Sequence, residues 1–221
     1  MTSEQKTNGA GGGRRDFLGR IAGVFGAGAA TMSLPRWLGA SSPVTSDDDK
    51  WLEKLHGKYR QVFDMYKPDD GFGLAYARTF LATQGPNPDA GAVIVLRHFG
   101  FPIALGHDLW AKYKIGQSLG IMDPETKAPA VKNPFFKPKS GVLLVDDMAV
   151  DQLLAKGVVM GACNVALTVL SGKLSGNAGV TPEAALKEWT AGVIEGISIV
   201  PSGVWAVNRA QVKGCTYCSA G

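Results

Sequence analysis

Ala92-Val93-Ile94-Val95-Leu96 and Val158-Val159-Met160-Gly161-Ala162-Cys163 are short apolar runs that no charged or strongly polar residue interrupts. A strand with one wet face alternates apolar and polar residues. An unbroken run is buried on both faces, as in a parallel sheet lying between helices. Segments with helical spacing separate such runs. Leu74, Ala75, Ala77, Phe80 and Leu81 predict a helix over 72–84, and Ala104, Leu105, Leu109, Trp110 and Tyr113 predict one over 103–119. Asp147 to Lys156 reads as a further helix, stopped by Gly157. Asn164 is expected to cap a helix over 165–174. Thr181-Pro182-Glu183 opens another, with threonine at the cap and proline just inside. Short strands are expected over 61–65, 142–145 and 197–200, and Pro201-Ser202-Gly203 leads into a helix ending near Val212. This alternation predicts a single α/β domain, its central and mostly parallel sheet covered by helices on both faces. Gly120 to Pro138 breaks the pattern with a long proline-rich loop, expected to pack on a neighbouring subunit or to cover a pocket.

The first 40 residues stand apart. Gly13-Arg14-Arg15-Asp16-Phe17-Leu18-Gly19 matches the twin-arginine export consensus, a paired arginine followed by any residue and two apolar ones. The weakly apolar stretch that follows, Ile21 to Leu34, is shorter than the roughly 20 residues of a membrane helix. Residues 1–40 are therefore expected to be a signal read by the twin-arginine export machinery through Arg14 and Arg15. Residues 41–54 are expected to be a flexible acidic spacer, and 55–221 the periplasmic domain, with no stable membrane insertion once the signal is removed. No cysteine precedes position 163, which excludes a lipoprotein anchor. That route carries folded proteins, so a cofactor acquired before export is compatible with it, and the sequence names none.

Charge narrows the function further. Of 23 basic and 19 acidic residues, five and two fall within 1–40, leaving 18 against 17 and a net charge of +1 beyond the signal. A basic nucleic-acid surface is not supported. With 45% hydrophobic and 19% charged residues the chain can bury a core and is too polar for a polytopic membrane protein.

In doubly wound sheets the functional groups collect at the carboxyl ends of the strands. Arg97 and His98 follow one buried run, and Cys163 and Asn164 end the other, which makes these four the candidate site. A helix N-terminus beside Cys163 would favour its thiolate. Free cysteine is also among the most buried residue types, so a packing role stands beside the reactive one. Cys215-Thr216-Tyr217-Cys218 in an exported protein reads as a structural or redox disulfide. Ser219 stands where a haem-attachment motif needs histidine, and no ligand spacing argues for a metal site built from Cys163 with His56, His98 or His107. If Cys215 and Cys218 pair, Cys163 is the odd thiol. No Gly-x-Gly-x-x-Gly follows a strand.

Several motifs together carry a resemblance. Trp110-Ala111-Lys112-Tyr113-Lys114-Ile115-Gly116, Asp123-Pro124-Glu125-Thr126, Lys132-Asn133-Pro134-Phe135, Cys163-Asn164-Val165-Ala166-Leu167 and Pro201 through Gln211 are similar to the exported branch of the DsrE-like superfamily. The resemblance runs from about Leu55 to the end of the chain. It implies one α/β domain assembled as a trimer or hexamer, and a sulfur-relay role in which a cysteine just after a strand carries a persulfide. Cys163 matches that position. The alternative is a non-catalytic oligomeric binding protein that holds a small ligand, haem or metal near Arg97, His98 and Cys163.

Overall fold

The protein is described by a computed structural model over residues 46–85 and 89–221. The expected signal, with Arg14 and Arg15, lies outside the described residues. Five strands, β1 (Tyr59–Met65), β2 (Ala90–Leu96), β3 (Val159–Cys163), β4 (Ile197–Val200) and β5 (Thr216–Ser219), form one sheet. Their order is β4-β3-β2-β1-β5 and every pairing is parallel. All seven residues of β2 and all five of β3 are buried, as their unbroken apolar sequences require.

Strand order decides where the helices go. Successive steps from β1 to β4 move in one direction, and right-handed crossovers then place the intervening helices on one face. These are α1 (Phe72–Thr83), α2 (His107–Lys112), α3 (Ile115–Leu119), α4 (Val150–Ala155), α5 (Asn164–Leu174) and α6 (Pro182–Ala191). They bury Leu74, Trp110, Ile115, Leu153, Leu167 and Trp189 against Phe63, Ile94, Leu96 and Met160 of the sheet. The return from β4 to β5 runs the opposite way, so α7 (Gly203–Val212) covers the other face. There Ala206 and Ala210 meet Val62, Val93, Val95 and Val159.

Three expectations are corrected. Within the expected spacer, Ser46–Leu52 forms a 3-10 helix rather than a flexible linker, and Leu52 is buried; residues 41–45 lie outside the described residues. Asp49 anchors that helix by pairing with Arg209 of α7, and Trp51 lies against Gly161. The helix expected over 103–119 is three pieces, a 3-10 turn His98–Ala104 followed by α2 and α3. Pro102 lies inside that 3-10 turn, Gly106 is extended, and Lys114 has a left-handed φ of 49° between α2 and α3. Residues 142–145 form no strand. Asp146 accepts hydrogen bonds from Ser140 and from the Gly141 amide, closing the segment as a loop with Leu144 exposed. Loop 120–138 packs on its own chain: Ala130 lies against Gly116, and buried Asn133 donates to the carbonyls of Ile103 (2.9 Å) and Leu105 (2.8 Å). Finally, the segment around Cys215 and Cys218 includes a strand. β5 pairs with β1, Val62 opposite Tyr217 and Phe63 opposite Cys218.

Candidate functional site

Helix α5 leaves β3 toward one face and α7 leaves β4 toward the other, so the chain parts at the carboxyl ends of these two neighbouring strands. In open α/β sheets this is where functional groups gather. The register carries it through. Leu96 pairs with both Met65 and Ala162, so one step on Arg97 stands between Tyr66 and Cys163, and Cys163 itself pairs with Val200.

Cys163 ends β3 and caps α5. Its Sγ accepts a hydrogen bond from the Ala166 amide at 3.3 Å, and Asn164 becomes the first helical residue rather than the cap. The thiol sulfur fills the cap role because Cys163 keeps extended dihedrals while its side chain turns toward the first free amides of the helix. Cys163 is 5% exposed and packs with Ala162, Ala166 and Leu167. Asn164 is half-buried beside it.

Arg97 is held from three sides. Its Nε and Nη2 donate to Asp64 Oδ1 and Oδ2 at 2.6 and 2.8 Å, a side-on two-bond pair. Its guanidinium carbon lies 5.4 Å from the Tyr66 ring centre, and its stem crosses Gly203, where a Cβ would fall 2.4 Å from Arg97 Cβ. Asp64 is 3% exposed and takes a third hydrogen bond, from the Tyr217 hydroxyl at 3.0 Å. The hydrogen bonds to Asp64 hold Arg97 protonated above its ordinary range. Burial opposes this, and the charges of Asp64, Tyr217 and Cys163 add to it. Burial, followed by the hydrogen bond to Asp64, raises the Tyr217 phenol. Asp64 and Tyr217 were not singled out from sequence. The available signal was a carboxylate inside the apolar run Val62-Phe63-Asp64-Met65, which needs a buried partner.

The remaining candidates fall elsewhere. His98 is exposed with its ring centre 4.2 Å from that of Phe99, and its φ of 51° is an uncommon backbone state for a residue with a Cβ. His56 is exposed. His107 packs on Phe136, its Nδ1 is buried without a partner, and burial lowers its pKa. Cys215 and Cys218 do not form the expected disulfide; both are free thiols. Cys215 is buried with the α7 core, whereas Cys218 packs against the opposite core. Three residues of extended chain separate their Cα atoms by about 10 Å, beyond the roughly 7 Å that a disulfide spans. Burial pushes the Cys215 thiol up to about 11 and also raises that of Cys218. Among the described residues no cluster of His, Cys, Asp and Glu is able to hold a metal. A groove of about 440 Å³ lies between Phe136, Leu154, Val193 and Ile194, and no residue of the Arg97–Cys163 rung lines it.

Fold and site together define a single-domain, all-parallel α/β protein with a buried ion pair and a capping thiol at the carboxyl edge of its sheet. No protein-family model matches the chain, and no curated protein matches it. Among solved structures, it is similar to a protein of unknown function from Methanobacterium thermoautotrophicum, at 19% identity over 73% of this chain and 99% of that one, with a TM-score of 0.40.

Proposed function

We propose that this is an exported, periplasmic sulfur-handling protein of the DsrE-like kind that carries sulfane sulfur on Cys163, working as a homo-oligomer. The observation that carries the reading is the Ala166 amide donating to Cys163 Sγ at the head of α5, with Arg97 in the adjacent position. A backbone donor and a nearby positive charge are the partners that an anionic persulfide sulfur takes up. The step is an exchange. The Cys163 thiolate attacks the terminal sulfur of a donor persulfide, a new S–S bond forms, the donor's S–S bond breaks, and the donor leaves as a thiolate. An acceptor thiolate removes the outer sulfur by the same exchange. No oxidant is consumed.

One observation favours the second reading, a non-catalytic binding protein: Cys163 is 5% exposed, and a persulfide adds a sulfur about 2 Å beyond Sγ. Intact mass of the protein purified without reductant separates the two readings. The sulfur reading expects one added sulfur atom, absent from Cys163→Ser. It also expects iodoacetamide to reach Cys163 in the native state. Alkylation only after unfolding, or added sulfur on Cys215 or Cys218, would overturn it.

A further inference from the structure

We propose that β5 is a redox-sensitive latch: a Cys215–Cys218 disulfide and the docked strand exclude each other, so oxidising the pair releases β5 from β1 and Tyr217 from Asp64. The geometry is specific. Cys215 directly precedes β5 and is buried among Val62, Val93 and Ala210 on one face of the sheet. Cys218, paired with Phe63, packs toward the other face. Thr216 and Tyr217 lie extended between them. Joining the thiols requires the intervening residues to turn, with Cα atoms brought from about 10 Å to roughly 4.4–6.8 Å. A turned segment cannot keep the Gln61–Thr216 to Asp64–Ser219 register.

The strand is built so that release is feasible. It has four residues and hydrogen-bonds to β1 alone, at the edge of the sheet. Short edge elements open at low free-energy cost compared with central strands. Tyr217, midway between the two cysteines, reaches Asp64 and so joins the latch to the Arg97 pair. While β5 is docked, burial keeps both thiols protonated, which leaves little thiolate to react. Oxidation by a small-molecule disulfide is balanced. The first thiolate attacks the oxidant to give a mixed disulfide and one released thiolate, and the second thiolate then closes the intramolecular bond and releases the other. Because docking stabilises only the dithiol, any change that weakens docking favours the disulfide by the same factor.

The test uses the full chain carrying Cys163→Ser, so its result does not depend on sulfur carriage at Cys163. The protein is equilibrated with mixtures of oxidised and reduced glutathione and quenched in acid. Peptide mass reads the Cys215–Cys218 bond, and amide hydrogen exchange reads protection over residues 59–65 and 216–219. The bridged form is expected to lose protection in both segments while β2 and β3 keep theirs. Tyr217→Phe, which deletes a hydrogen bond to a carboxylate, is expected to raise the equilibrium constant for the bridge by about ten-fold. A bridge formed with protection intact would overturn the proposal. So would only mixed or intermolecular disulfides at every ratio, or an unchanged constant in Tyr217→Phe.

Discussion

Gly203 sits where α7 starts and where Arg97 passes beneath it, and replacing it with alanine probes how tightly the carboxyl edge is built. A Cβ there would lie 2.4 Å from Arg97 Cβ and 2.6 Å from Cδ. Carbon atoms rest at about 3.5–4.0 Å, so the gap must open by roughly 1 Å. Arg97 Cβ is carried rigidly by the backbone at the end of β2, and no rotamer change relieves that contact. The first turn of α7 must lift, or the arginine must give up its 2.6 and 2.8 Å bonds to Asp64. Overpacking costs about 1–3 kcal/mol. Losing one charge-assisted hydrogen bond on a 3%-exposed carboxylate adds about 1.5–3 kcal/mol. Alanine's helix preference returns at most about 1 kcal/mol, leaving a net loss of about 1.5–5 kcal/mol. Urea unfolding followed by tryptophan fluorescence measures this as a lower midpoint at unchanged slope. The sign is decisive. If the space were open, Gly203→Ala would be neutral or stabilising through helix propensity alone, and the close-packing argument would be wrong.

Cys163→Ala should destabilise by about 1 kcal/mol by deleting the α5 cap, whereas Cys163→Ser should stay near wild type because serine is a favoured cap; equal midpoints for the two would remove the capping role. Asn133→Ala strips the buried carbonyls of Ile103 and Leu105 of their donor. It should cost about 2–4 kcal/mol and speed proteolysis within 120–138, and an unchanged cleavage pattern would count against that anchor. The Cys215 thiol, pushed to about 11 by burial, keeps its proton in the fold after an unfolded chain has lost its own. Stability should therefore be full below about pH 8.5 and fall as pH rises toward 11, with a shallower fall in Cys215→Ala. Replacing Arg14 and Arg15 by lysine should strand the precursor in the cytoplasm, and undiminished periplasmic accumulation in fractionated cells would refute the export signal.

Whatever depended on local chemistry was legible in the sequence. β2 and β3 announce themselves because a parallel strand covered on both faces has no polar period to confuse. Thr181 and Pro182 mark the start of α6 because threonine caps and proline fits only the first turn. What was missed depended on contacts distant in sequence. Thr216-Tyr217-Cys218-Ser219 is too short and too polar to read as a strand, and it becomes one through pairing with β1, some 155 residues earlier. Residues 142–145 have the composition of a strand and lie in a loop, because Asp146 draws Ser140 and Gly141 back on themselves. A Cys-x-x-Cys spacing says nothing about which face each thiol takes until the strand is known.

The site divides along the same line, with one consequence for its chemistry. Arg97 and Cys163 were located because both follow unmistakable strands. Their relation was not, because it depends on Asp64, whose partners come from β2 and β5. A guanidinium already engaged by both oxygens of a buried carboxylate is poorly placed to bind a ligand anion. Releasing it would strand Asp64, and breaking a buried pair in this way typically costs about 3–5 kcal/mol. Arg97 therefore acts on Cys163 as a fixed positive charge in the neighbouring position. Its pairing with Asp64 holds that charge steady, and the pairing also cancels much of it. The Ala166 amide, 3.3 Å from Sγ, is then the donor that a persulfide on Cys163, as proposed, would keep, because no competing carboxylate holds it.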